Sequence, residues 1–177
     1  MKSDQKTADL CAALTSPQAY PVTTLKLRDC NLGDAAAQLI GEMLRCGSVR
    51  VTDLDLSMNV IKEEGALALA AGIAENQVLE RLDLMGMPLL GKSERVLRGF
   101  VRMYASNTTL GKVVWRLDHP LANTLSQLVT RNNVLIQKRK DSSGSRYWPT
   151  ATIVEPSFPC TIATNTIVVV IIVRLPV

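Results

Sequence analysis

Residues Gly86-Met87-Pro88-Leu89-Leu90-Gly91-Lys92-Ser93 match G-x-x-x-x-G-K-[ST] at every fixed position. In such a loop, backbone N–H groups cradle phosphates, the Lys reaches the β/γ oxygens and the hydroxyl binds Mg²⁺. Gly86, Gly91, Lys92 and Ser93 would then form a nucleotide site, with Asp118 as a possible metal-binding carboxylate. Three features oppose this. Pro88 has no N–H, and Pro88-Leu89-Leu90 is bulky where the chain must wrap closely around phosphate. Only about 50 residues of foldable chain follow, too few for the rest of a nucleotide-binding sheet. Arg116 interrupts the apolar strand that should precede Asp118. Nucleotide binding therefore stands as the alternative reading.

No other residue set offers catalysis. Asp118-His119 has acid–base character, but no Ser or Cys sits in a nucleophile setting, and His119 before Pro120 reads as a helix-entry turn. With one His in 177 residues, a site built on several imidazoles is excluded. Cys11, Cys30, Cys46 and Cys160 lack metal-ligand spacing, so neither a metal nor a cofactor is expected. Aromatic residues make up 4% of the chain, too few for platforms that stack single-stranded nucleic acid.

The net charge of +4 is local. Residues 1–133 carry 15 basic and 14 acidic side chains, and the excess follows in Lys138, Arg139, Lys140 and Arg146. No broad basic surface is implied, and nucleic acid is not the expected partner. The polar start lacks the apolar core of a signal peptide, and the cysteines read as reduced thiols. A cytoplasmic location is expected, with a nuclear one open through Lys138-Arg139-Lys140. The longest apolar run, Ile167–Val173, has seven residues against the ~20 of a membrane helix.

Self-comparison brings out a repeat. Val22-Thr23-Thr24-Leu25-Lys26-Leu27 returns as Val51-Thr52-Asp53-Leu54-Asp55-Leu56, and then as Leu79-Glu80-Arg81-Leu82-Asp83-Leu84. The offsets are 29 and 28 residues, and Leu110-Gly111-Lys112-Val113-Val114-Trp115 is a weaker fourth copy. After each strand-like core, apolar residues take helical spacing: Leu39, Ile40, Met43, Leu44; Ala66, Leu69, Ala70, Ile73; Val96, Leu97, Phe100, Val101, Tyr104. A strand–helix unit cannot cover its own apolar face, so the units must stack.

This L-x-x-L-x-L pattern with a full helix per repeat resembles the ribonuclease-inhibitor-like class of leucine-rich repeats, over residues 7–133. The family places Asn or Cys after the strand; Cys30 and Asn59 match, and Met87 interrupts the ladder. The resemblance implies an α/β fold: a short solenoid, a horseshoe segment with a parallel sheet on its concave face and helices on its convex face. It also implies a binding function. Such proteins commonly serve as adaptors, inhibitors or regulators of small GTPases, cytoskeletal elements or ligase complexes. The arginine that GTPase activators of the family use is not identifiable here.

The expected organisation is an N-terminal capping helix and entry over 1–21, repeats with a C-terminal cap over 22–133, and a basic linker and β-branched tail over 134–177. Pro120 opens the expected closing helix, which runs to about Asn132 with Leu121, Leu125, Leu128 and Val129 inward. Three readings of the tail stay open: a strand docking on the stack, a partner-binding peptide, or an end without a defined role.

On each strand the residues between leucines face the open side of the sheet. One column reads Thr24, Asp53, Arg81, Lys112; the next Lys26, Asp55, Asp83, Val114; the third Arg28, Ser57, Met85, Arg116. Lys26 can pair with Asp55 and Asp53 with Arg81, while Asp55 opposes Asp83, a contact that a partner's cation would relieve. The expected function is a non-enzymatic protein-interaction module. Its partner-binding residues are Lys26, Arg28, Asp53, Asp55, Ser57, Arg81, Asp83 and Met85. A non-autonomous piece of a longer solenoid is the remaining alternative.

Overall fold

A computed structural model describes residues 2–16, 22–87 and 89–142. The expectations for 143–177 lie outside these residues. In chain order the elements are α1 (Lys2–Thr15), β1 (Thr24–Lys26), α2 (Asp34–Arg45), β2 (Asp53–Asp55), α3 (Glu63–Glu75), β3 (Arg81–Asp83), a 3₁₀ turn (Leu90–Lys92), α4 (Glu94–Ser106), β4 (Lys112–Val114) and α5 (Leu121–Ser142). The strands form one parallel sheet in the order β1-β2-β3-β4.

The register is the one the repeat dictates. Leu25, Leu54, Leu82 and Val113 are successive partners across the sheet. Leu25, Leu54 and Leu82 are buried, as are Leu27, Leu56 and Leu84 one step on. Each such side chain removed from water contributes about 1.5–3 kcal/mol, which pins the register. Helices α2, α3 and α4 close the other side of this core through Ile40 and Leu44, Leu69 and Ile73, and Leu97 and Phe100. Met103, rather than the half-buried Val101, completes the inner face of α4.

Three devices connect one repeat to the next. The Asn59 amide donates to the carbonyls of Leu27 and Leu56 at 2.8 and 2.7 Å, and its Oδ1 accepts from the N–H groups of Cys30 and Leu32, both at 3.0 Å. Asp34, first residue of α2, accepts through Oδ1 from Lys62 N and Gly65 N, and so caps α3 of the following repeat. On the opposite edge, Asn76 and Asn107 occupy the C-caps of α3 and α4 and tie backbone groups of adjacent repeats.

A helix covers each end of the stack. Cys11 of α1 is buried against α2, and Leu125 and Asn132 of α5 are buried against α4. The His119 ring accepts from Leu121 N at 3.2 Å, which makes His119 the entry cap of α5. The closing helix begins one residue after Pro120 and continues past Asn132 to Ser142. Residues 134–142 are thus helical and continuous with the cap. Arg139 reaches back to the Thr108 hydroxyl at 2.8 Å, an anchor that composition alone does not reveal.

Candidate binding surface

Residues 86–87 and 89–93 fold as part of the third repeat. Gly86 has φ +81°, and the equivalent turn residues Asp29 and Met58 have φ 53° and 59°. Left-handed backbone at this step belongs to the repeat, and Gly86 is the residue that adopts it without a Cβ penalty. A Cβ on Gly91 would stand 2.0 Å from the Arg116 carbonyl oxygen, so Gly91 serves a close chain contact. Three of the N–H groups that would have to cradle phosphate are spent inside the turn: Leu90 N on Met87 O, Lys92 N on Leu89 O, Ser93 N on Leu90 O. Ser93 Oγ accepts from Val96 N and caps α4, while Lys92 Nζ lies 3.8 Å from Asp118 in an exposed ion pair. The sequence pattern is present, and the described residues of the segment form no phosphate cradle.

The open face of the sheet carries the predicted columns in the predicted register: Thr24, Asp53, Arg81, Lys112 and Lys26, Asp55, Asp83, Val114. Lys26, Arg28 and Arg81 are exposed, and Asp53, Asp55 and Asp83 are half-buried. Two details differ from the expectation. The pairs Lys26–Asp55 and Asp53–Arg81 do not close into salt bridges among the described residues. Instead Asp55 Oδ1 accepts from Ser57 N and Ser57 Oγ at 2.9 and 2.6 Å, and Asp83 Oδ1 accepts from Met85 N at 3.0 Å. Each acid reaches two residues forward to brace the turn after its own strand, a local bond that needs no partner strand.

Ser57 is also displaced from its expected place. It is fully buried, so it cannot meet a partner; its hydroxyl serves Asp55. Exposed apolar side chains follow the strands. Met58 (49% exposed), Met85 (41%), Val60 (54%) and Leu89 (77%) lie just beyond the strands, and Met58 N bonds Met85 O across two repeats. Met58, Val60 and Leu89 went unmarked in the sequence because the helical and strand periods both stop at the turn.

Sequence reasoning also missed the Asn76–Asn107 ladder. Its signal was available in Asn76-Gln77-Val78-Leu79 and Asn107-Thr108-Thr109-Leu110, each an Asn three residues before the leucine that opens a strand. Among the described residues no cluster of three or more His, Cys, Asp or Glu side chains could hold a metal ion, and no helix is long and apolar enough to cross a membrane.

A family profile described as Leucine Rich repeat matches residues 21–41 and 51–70, the first two strand–helix units of this sheet. These residues are leucine-rich repeats, and the parallel four-strand sheet built on them is of the leucine-rich-repeat type. Among solved structures it is similar to leiomodin-1 actin-binding site 2, with a TM-score of 0.69, 22% identity and 80% of each chain covered. It is also similar to the tropomodulin C-terminal domain of Caenorhabditis elegans, with a TM-score of 0.49, 12% identity, and 76% of this chain and 98% of that one covered. No curated protein sequence matches it. The leiomodin-1 likeness concerns the fold: stacked strand–helix units with a parallel sheet.

Proposed function

We propose that this leucine-rich-repeat protein is a protein-interaction module of the ribonuclease-inhibitor-like class, a short solenoid that binds its partner with the concave face of the sheet. The helix between successive strands supports the class assignment. The observation that carries the binding reading is the alignment of Asp55 with Asp83 on adjacent parallel strands. Neighbouring strands stand ~4.8 Å apart, so two half-buried acidic residues stand side by side on the open face and concentrate negative charge there. Only Oδ1 of each has a hydrogen bond among the described residues, and the second oxygen remains for a partner's Lys or Arg. Met58 and Met85 beside them offer adaptable apolar contact. The partner is therefore a protein surface that presents a cation next to an apolar side chain. Lys26, Arg28, Asp53 and Arg81 complete the face, and Ser57 acts by holding Asp55.

Catalysis is no part of this reading. A cytoplasmic setting accords with it, since Cys11 and Cys46 are free thiols. The similar leiomodin-1 domain is by its name an actin-binding site, so actin is one protein to include in the test.

The test is affinity capture with mass spectrometry, together with actin co-sedimentation, using wild type and Asp55→Asn/Asp83→Asn. Asn keeps the oxygen that braces each turn and removes the charge, so the fold is preserved. Loss of captured proteins in the double variant is the expected result. An unchanged capture profile would reject the acidic column as the working surface.

A further inference from the structure

Between α4, β4 and the first half of α5 lies a cavity of about 310 Å³, with Phe100, Tyr104, Val113, Trp115, Leu125 and Val129 in its wall. Phe100 and Trp115 pack with ring centroids 5.0 Å apart at 56°. Two buried side-chain polar atoms among the described residues have no hydrogen-bond partner, Tyr104 Oη and Trp115 Nε1. Both belong to rings in this wall. The tyrosine is 1% exposed, and burial pushes its hydroxyl well above the usual range, so it stays a protonated donor.

This coincidence is costly. A buried polar group without a partner costs about 1–3 kcal/mol, and apolar walls left in contact with water keep surface that an occupant would cover. The rest of the stack does not tolerate such defects: the buried amides of Asn59, Asn76, Asn107 and Asn132 are all bonded. The two rings that carry the orphaned donors line one and the same recess, beneath the helix that closes the stack.

We propose that this cavity is a binding site for a small, neutral, mostly apolar compound carrying one acceptor oxygen. The size follows from the space. An apolar cavity of ~150 Å³ holds one benzene, so about twice that volume suits a fused two-ring compound. The acceptor follows from the donors. A small turn of the phenol or indole meets the oxygen, and the ring edges are satisfied by the occupant. The neutrality follows from the surroundings. The polar wall residues are Ser126 and Thr130, besides the two rings. The nearby Arg131 spends its guanidinium on the carbonyls of Tyr104 and Asn107 and on Asn132 Oδ1. A carboxylate here would be desolvated without a free cation. The site lies at the end of the stack and is independent of the concave-face reading.

The test uses the full chain with Trp148→Phe, which leaves Trp115 as the one indole, and compares 1-indanone with indane by NMR titration. The two probes share a skeleton and differ in the ketone. Saturable binding of 1-indanone, a shift of the Trp115 indole N–H resonance, and an affinity about tenfold above that of indane are expected, as one buried hydrogen bond supplies. Tyr104→Phe or Trp115→Phe should bring the two probes within about threefold of each other. Leu125→Trp, which fills the space and leaves both donors in place, should abolish binding of both. The proposal fails if neither probe binds wild type, if both bind alike, or if the ketone preference survives in both donor variants.

Discussion

Asn107 donates through Nδ2 to the carbonyl oxygen of Asn76 at 2.8 Å, while its own Oδ1 receives the N–H groups of Thr109 and Leu110. Asn76 makes the same connection one repeat earlier, to the Leu44 carbonyl and from Val78 and Leu79. Asn132 of α5 ends the series by donating to the carbonyls of Asn107 and Leu110. One amide per step thus replaces the water that the chain loses as it turns from helix into strand. Asn107→Ala leaves several of these groups unpaired in a buried place, and a stability loss of about 2–4 kcal/mol is expected. Urea unfolding monitored by circular dichroism measures it. A loss below about 0.5 kcal/mol would mean that the ladder decorates the stack without holding it.

The sheet was legible because its signal is redundant. The first three strands state [LV]-x-x-L-x-L, and a slip by one residue would turn Leu25, Leu54 and Leu82 to solvent. Features whose cause lies in one contact were not legible. Ser57 alternates correctly for an outward column, yet its hydroxyl is drawn under Asp55. The closing helix continues through a charged stretch that carries little apolar periodicity of its own; Arg139 finds Thr108 from a distant part of the chain. The phosphate-loop pattern was fully legible and misleading, since its two glycines answer needs of the repeat: a left-handed turn at Gly86 and a close crossing at Gly91.

The misleading pattern yields a direct prediction. ATP or GTP with Mg²⁺ should leave the melting temperature of the wild-type protein unchanged, because Leu90, Lys92 and Ser93 already donate their N–H groups within the turn. Lys92→Ala should behave the same and change stability by less than about 0.5 kcal/mol, as its pair with Asp118 is exposed on both sides. Micromolar nucleotide binding that Lys92→Ala removes would reverse this assignment.

Gly91→Ala should be far more damaging than Lys92→Ala. The added Cβ meets a backbone carbonyl, which cannot swing aside as a side chain would. A loss of about 1–3 kcal/mol is expected from such overpacking, read by thermal or urea unfolding. A neutral result would place Arg116 and Leu117 farther from the turn than described.

The covered ends predict that residues 1–142 unfold in one cooperative transition. Cys11 of α1 and Leu125 of α5 are buried against the stack, so the outer repeats do not end on bare apolar faces. Calorimetry checks this, and a broad, multi-step melt would favour the reading of the chain as a dependent piece of a longer solenoid.

The thiols predict the alkaline behaviour. Burial pushes Cys11 up to about 11, with the negative Glu42 acting in the same direction, whereas hydrogen bonds from Ser48 lower Cys46. At pH 7.5, in a Cys160→Ser background, a disulfide reagent should label Cys46 first and leave Cys11 untouched until the protein opens. Because the folded state holds Cys11 protonated beyond the ordinary value of 9.0, its contribution to stability is complete below pH 9 and is lost as the pH rises towards 11. The loss is of order 2 kcal/mol. Tyr104, shifted in the same direction, adds its own loss above pH 10. Cys11→Ala should therefore flatten the decline between pH 9 and 10 and keep the steeper fall beyond it. An unaltered profile between pH 9 and 10 would show that the thiol of α1 titrates as it does in the unfolded chain, and that the first helix does not seal the stack.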